Sequence, residues 1–308
     1  MKQERSLPLV ILCYAAIYTV WSSTYLFIAL AVKTIPPGWV VAGRFLSAGL
    51  AFTLIPVLTG QVKTLPTKKE VFSSLFLGFF LLIMGNGVVT IAEQSVDSYL
   101  TALLIATIPL VVAFFNRLLF KTRMTWNQLA GILAGIAGIS LLLYTGDVRP
   151  PEEIKGIALL FLAVTCWGFG TSYSKKLHPH GNIFFHTGMQ MLFAGTVALI
   201  TVFLSEEQPL QTWETASALS LYSLLFLAVV GSLAIAAYNY LLKVEPTTRI
   251  TSYTLVNPLL ATVLGIVVNH EQPTPLLPFG VPLILTGLVL MLYINPAIKK
   301  PGASRTPG

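Results

Sequence analysis

The feature that most constrains this chain is the recurrence of apolar runs about 20 residues long, separated by short connectors. A hydrocarbon core about 30 Å thick is crossed by about 20 helical residues. Windows of that kind fall at approximately 7–32, 37–59, 70–92, 97–119, 125–145, 154–175, 183–204, 217–241, 247–269 and 277–296. Pro, Gly and charge punctuate the boundaries, at Pro36-Pro37, Gly60, Gly146, Pro150-Pro151 and Pro246. The expectation is an all-α integral membrane protein of ten transmembrane helices. Composition agrees: 10% of the 308 residues are charged, against about 25% in soluble domains, and the mean hydropathy is +0.78. Lipid is the expected main solvent and partner.

Lys2 and Arg5, the apolar run from Leu7 and the small residues at Ala29-Leu30-Ala31 resemble a signal peptide. The run is too long for one and contains Trp21-Ser22-Ser23-Thr24-Tyr25, so a retained first helix is expected. The net charge of +7 lies in short clusters between apolar runs and forms no stripe of the kind that nucleic acid needs. Those clusters orient the chain instead, because Lys and Arg near span ends stay cytoplasmic. With both termini cytoplasmic, Lys2, Arg5, Lys63, Lys68, Lys69, Arg117, Lys121, Arg123, Lys175, Lys176, Lys243, Arg249, Lys299, Lys300 and Arg305 lie inside, and only Lys33, Arg149 and Lys155 outside. Trp39, Tyr144 and Trp213 then fall at the outer interface, and Trp126 and Tyr293 at the inner one. Cys13 and Cys166 match no metal or disulfide spacing, and no cofactor is expected.

Sliding residues 101–144 onto 250–293 needs no gap. Pro109 falls on Pro258, Leu110 on Leu259, Thr125 on Thr274, Gly131 on Gly280 and Gly138 on Gly287. Trp21 and Trp167 also occupy similar depths in the first and sixth spans. Each half holds an odd number of spans, so the second half enters the membrane from the opposite side. Two inverted repeats are expected, at 1–146 and 147–298, followed by a cytoplasmic tail at 299–308. Inverted repeats are a common basis of alternating access in secondary transporters.

Trp21-Ser-Ser-Thr-Tyr25, Gly43-Arg44-Phe45, Pro109-Leu110, and Asn257-Pro258 followed by Glu271, in this order, resemble the EamA-type carriers of the drug/metabolite transporter superfamily. The likeness covers nearly the whole chain. It implies helices around a central cavity and export of amino acids or related small metabolites. One departure stands out: Lys121-Thr122 lies where the second half has His270-Glu271. That puts in doubt any role requiring a symmetric pair of carboxylates.

The candidate substrate-binding residues are Trp21, Thr24, Tyr25, Arg44, Asn86, Trp167, Gln190, Tyr238, Tyr253 and Asn257. Trp21 and Trp167 offer aromatic surface beside hydroxyls, the mixture that suits a small amphipathic ligand. The hydroxyl residues near them serve equally for close helix packing. Arg44, about 10 Å along its span, either faces a cavity or snorkels to the outer headgroups. Glu93 is a candidate proton-coupling group, a partner for Arg44, or a solvated loop carboxylate beside Asp97. Gln190, Tyr238, Asn239 and Tyr253 each need a hydrogen-bond partner or water, whereas His186 is expected at the cytoplasmic interface. Gly131, Gly135 and Gly138 form a small-residue face expected to serve helix packing.

Pro109 and Pro258 are expected near the midplane, where a proline frees the carbonyl four residues earlier, here those of Ile105 and Thr254. Asn257 either contacts substrate or satisfies main chain beside the break. No G-x-x-x-x-G-K-[ST] loop occurs. The leading reading is a secondary transporter of the bacterial cytoplasmic membrane, with protons as the candidate coupling ion. The alternative is an integral membrane enzyme acting on a lipid-linked or small substrate.

Overall fold

The computed structural model describes residues 6–121, 125–144, 149–205 and 212–293. Lys2, Arg5, Arg123, Gly146, Lys299, Lys300, Arg305, the tail at 299–308 and the side chain of Tyr293 lie outside the described residues.

The structure is helical, with no strand among the described residues. We number its main helices α1 (Leu7–Ala31), α2 (Pro37–Leu58), α3 (Lys68–Ala92), α4 (Ser98–Phe120), α5 (Trp126–Leu143), α6 (Pro151–Tyr173), α7 (Ile183–Ser205), α8 (Ala218–Val244), α9 (Asn257–Asn269) and α10 (Leu277–Tyr293). Seven of them, α1 to α4 and α6 to α8, are long and apolar enough to cross a membrane, while α5, α9 and α10 supply shorter apolar stretches. Proline occupies the first turn of α1, α2 and α6, where its missing N–H has no helical partner to lose. A reciprocal Thr67–Glu70 capping box starts α3.

The regular pattern fails at places that correspond between the halves. Helix α3 contains a π-helical segment at Gly78–Gly87, and α8 contains one at Leu227–Gly231. Helix α4 is broken at residues 106–107 into Ser98–Ile105 and Ile108–Phe120. Helix α9 is preceded by a short turn at Thr247–Ile250 and a 3-10 stretch at Thr251–Leu255. Lys121 and His270, at the ends of α4 and α9, both adopt left-handed backbone, with φ of 53° and 55°. Every one of these pairs obeys the numbering shift that carries Pro109 onto Pro258.

These breaks correct the expectation of a proline kink within continuous helix. Pro109 and Pro258 each lie in the first turn of a new helical piece, so the donors they lack are ones a helix start leaves unpaired anyway. Threonine hydroxyls bond main chain beside each break: Thr107 Oγ1 donates to Leu104 O at 2.6 Å and Thr254 Oγ1 to Thr251 O at 2.7 Å.

Helix α2 packs along α7, and α5 along α10, while α1 lies against α8 and α9, and α6 against α3 and α4. The α5–α10 contact is built on glycines. A β-carbon at Gly287 would meet Gly131 O at 2.5 Å, and one at Gly138 would meet Gly280 O at 2.8 Å. Each glycine thus faces the repeat counterpart of the other's neighbour, which lets the two backbones touch. Around the outside, Leu12, Leu58, Phe114, Leu204, Val267 and Phe279 are exposed, while Arg44, Glu93, His186 and Gln190 are buried. That arrangement, apolar outside and polar within, fits a protein surrounded by lipid. His186 is not interfacial as expected: it is 1% exposed and shares a 2.8 Å hydrogen bond with Ser74.

Gly287→Val should lower the thermal midpoint in detergent, with an overpacking cost of about 1–3 kcal/mol. Gly181→Val, where a β-carbon meets open space, should leave it unchanged. A fluorescence-monitored melt of the two variants beside the parent checks both.

Candidate functional site

Helical spacing puts Trp21, Thr24, Tyr25 and Ile28 of α1 on one face. With Asn86 and Val89 of α3, Ile105 and Ile108 on either side of the α4 break, Trp167 of α6 and Tyr253 before α9, they enclose a central cavity. Its volume is about 40 Å³, room for a few waters and well below the several hundred Å³ of a small-molecule site. In this conformation the cavity therefore holds only water-sized space.

Aromatic rings form one wall. Trp21 and Trp167 meet edge to face at 5.6 Å between centroids, and Trp21 lies 4.9 Å from Tyr238 and 5.0 Å from Tyr253. The rings are fixed by polar contacts at their edges: Trp167 Nε1 donates to Tyr238 Oη at 3.2 Å, and Tyr238 Oη and Thr171 Oγ1 share a 2.6 Å bond. Gly85, in the π segment of α3, makes room for Trp167. A β-carbon there would lie 2.6 Å from its indole.

Arg44 is 2% exposed, so it does not snorkel. Its Nη1 donates to Asn86 Oδ1 at 3.0 Å, its guanidinium lies against Gly231 in the π segment of α8, and its Nε and Nη2 have no hydrogen-bond partner among the described residues. It therefore stands behind Asn86 and does not itself line the cavity. No ion pair forms between Arg44 and Glu93. Glu93 is itself 6% exposed, which removes the solvated-loop reading, and both of its carboxyl oxygens lack a partner among the described residues.

Two candidates belong to the helix framework rather than the cavity wall. Asn257, with its amide nitrogen as donor, reaches Ser22 Oγ at 3.0 Å and the carbonyls of Tyr18 and Tyr253 at 3.1 Å. It ties the α9 break to α1, because the break leaves a carbonyl that an amide can reach. Gln190 accepts from Asn239 Nδ2 at 3.1 Å and joins α7 to α8.

The two ends of the bundle differ. Beyond α6, a vestibule of about 600 Å³ is lined by Lys69, Glu70, Lys175, His178, His186 and Lys243. At the opposite end, the Glu271 carboxylate accepts from Ser98 N, Ser98 Oγ and Tyr99 N at 3.0, 2.6 and 3.0 Å, and from Asn269 Nδ2 at 2.9 Å. A carboxylate at a helix N-terminus meets unpaired N–H groups and the positive end of the helix dipole, so Glu271 clamps the start of α4. Sequence reasoning placed Glu271 only by resemblance, and it did not find Gly85 or the apolar lining residues. The run Gly85-Asn86-Gly87, unusual in mid-span, was the available signal.

Residues 8–144 and, separately, 154–293 match the family described as EamA-like transporters. The chain belongs to this family. Among similar proteins, the uncharacterized inner membrane transporter YedA of Escherichia coli K12 is 32% identical over 290 residues, which cover 92% of this chain and 91% of YedA. The uncharacterized transporter YoaV of Bacillus subtilis 168 is 24% identical over 288 residues, 92% of this chain and 97% of YoaV. One crystal structure superposes with a TM-score of 0.69 over 96% of this chain and 100% of its own, at 18% identity, a likeness of fold. As an EamA family member, the chain is a multi-pass integral membrane protein of transporter type.

In this EamA protein the Glu271 clamp is testable by itself. Glu271→Gln keeps the shape but removes the charge from its bonds, and charge-assisted hydrogen bonds are worth about 1.5–3 kcal/mol. Amide exchange at residues 98–102 should therefore speed up by about tenfold or more, with exchange in α2 and α7 unaltered, as read by mass spectrometry in nanodiscs.

Proposed function

We propose that this EamA protein is a secondary transporter that exports a small metabolite, such as an amino acid or related compound, across the bacterial cytoplasmic membrane by alternating access. In this reading ten spans form two inverted five-helix repeats, 1–146 and 147–298, with both termini cytoplasmic. The observation that carries it is the small aromatic cavity lined from both halves, with a wide vestibule toward one end and a clamped helix start toward the other.

The repeat-related irregularities support the inverted arrangement. The π segments, the helix breaks and the left-handed ends begin at matched positions, and the Gly138–Gly280 and Gly287–Gly131 contacts correspond to each other under the same shift. Charge supports the orientation, since the vestibule carries Lys69, Lys175 and Lys243 and Lys and Arg favour the cytoplasmic side. The vestibule is then the cytoplasmic entrance, and the Glu271 clamp closes the outer end. Trp21, Tyr25, Asn86, Trp167 and Tyr253 would contact the substrate once the cavity opens. Thr24 contributes a hydroxyl at its edge, and Tyr238 holds the indoles in place.

Purified protein in liposomes, assayed with a panel of radiolabelled amino acids and no ATP, should show counterflow driven by unlabelled solute on the opposite side. Trp21→Ala and Trp167→Ala should each reduce it by about tenfold or more, as expected when ~1.4 kcal/mol or more of contact is lost. Chemical conversion of a solute without flux would replace this reading with that of a membrane enzyme.

A further inference from the structure

Two buried carboxyl groups lie near each other at the clamped end of the bundle, and their surroundings are opposite. Glu271 sits at the N-terminus of α4 with four donors around it. Glu93 sits at the C-terminal end of α3, 94% buried by its 6% exposure, with neither oxygen bonded among the described residues. A helix C-terminus presents carbonyl oxygens and the negative end of the dipole, so it disfavours a second negative charge. An ionised carboxylate there would be desolvated, unpaired and repelled by Glu271. A carboxylic acid escapes the repulsion and carries a far smaller desolvation cost.

The charged neighbour that acts on Glu93 adds repulsion, while the Ala29 main chain favours the ionised form. From α1, Tyr25 lies near Glu93 and also lines the central cavity, and Ala29 faces the carboxyl with its main chain. Lys33, just beyond α1, gives its ammonium to Asn269 Oδ1 at 2.7 Å. Glu271 is the charged group that acts on Glu93 from the α9–α10 connection. In the 93–97 connector, burial and the Glu271 carboxylate push the Asp97 carboxyl above its usual range, against the pull of Arg149. From α4, Tyr99 Oη accepts from Thr274 N. Arg149 is held by the carbonyls of Leu142 and Leu143 and by Glu153. No cation among the described residues is paired with Glu93.

We propose that Glu93 is the proton-binding group of this carrier, and that taking up a proton there permits the Glu271 end to close over the cavity. The step is a simple protonation: the open, hydrated carboxylate accepts one proton from water on that side and is buried as the neutral acid. Loss of the proton returns a charge to a site that cannot hold it dry, and the clamp opens. Val89 lies one turn before Glu93 and lines the cavity, so the same helix face links the proton site to the substrate site. The reading deepens the alternating-access proposal and rests on it. It predicts that the closed state is favoured at low pH and lost as pH rises through the value at which buried Glu93 ionises.

Two measurements test it. Infrared difference spectra of wild type and Glu93→Gln in lipid, at about pH 7, should show a protonated-carboxyl C=O band in the wild type that is missing from the variant. Its absence from the wild type overturns the proposal even if Glu93→Gln fails to fold. The second uses Val89→Cys in a chain with Cys13→Ser and Cys166→Ser, treated in membrane vesicles with an impermeant maleimide from the Glu93 side. Between about pH 6 and about pH 9 the labelling rate should rise about tenfold or more relative to the same chain carrying Glu93→Gln. That ratio cancels the reactivity change of the thiol itself. A ratio that stays flat with pH, including one with no labelling in either chain, overturns the proposal. Counterflow without ATP is read separately, so failure of Glu93 as the proton site leaves the transport reading to stand or fall by its own assay.

Discussion

The structure depends on one constraint: where lipid surrounds a chain, main-chain N–H and C=O groups must find their partners within the protein. Continuous helix meets that demand along most of this chain, and the exceptions are few enough to be informative. Helix α4 stops and restarts at residues 106–107, and the corresponding element in the second half unwinds into a 3-10 stretch before Asn257. The first interruption is buried against α1 and α6, the second against α1, α4 and α10. Threonine hydroxyls and the Asn257 amide cover the carbonyls that regular helix would have used. The breaks are tolerable because they face inward, and facing inward is what makes them available to shape a cavity.

The same constraint explains why the polar residues sort into two groups. Asn257, Gln190, Thr171 and Tyr238 have been given hydrogen bonds that join one helix to another. Their contribution is to hold aromatic rings and helix breaks in register. Arg44 and Glu93 combine unsatisfied buried atoms with an ionisable group, whereas Gln190 leaves only its neutral Nε2 without a partner among the described residues. An unsatisfied buried donor or acceptor costs about 1–3 kcal/mol, and more when charged. Groups that carry such a cost through the resting conformation mark where the structure is arranged for a state other than the one it occupies.

Much of the architecture was legible in the sequence because span length and proline placement act locally. The expected windows agree with α1 to α4 and α6 to α8 to within a few residues, since their ends are written in Pro, Gly and capping residues. The matched Pro109 and Pro258 located the breaks, although they start new helical pieces instead of kinking old ones. The site was legible only where a residue type is expensive in hydrocarbon or bulky enough to matter. Trp21, Tyr25, Asn86, Trp167 and Tyr253 were found on those grounds. Ile28, Val89, Ile105, Ile108 and Ala163 were not, because an apolar residue facing a cavity cannot be told in one sequence from an apolar residue facing lipid. Depth also misled: His186, near the start of its helix, is enclosed by neighbouring elements that no single span reveals.

The departure from repeat symmetry carries the remaining argument. If the halves were chemically equivalent, the two ends of the bundle would be sealed alike. They are not: Glu271 satisfies the start of α4, whereas Asn116 Nδ2 and Thr247 Oγ1, at the corresponding junction of α4 with the second half, are linked by one neutral 3.3 Å contact. A charge-assisted clamp of several donors is stronger than a single neutral bond. In the alternating-access reading proposed above, the resting balance should therefore favour closure at the Glu271 end and access through the vestibule at the other. A bias of this kind has a mechanistic consequence. On that reading the empty carrier waits with its entrance toward the lysine-rich end, and the energy for reaching the other state comes from differential interactions with whatever occupies the cavity or titrates beside the clamp. On the proposed inverted-repeat reading, the sequence difference between Glu271 and Thr122 is what biases the scaffold toward one side.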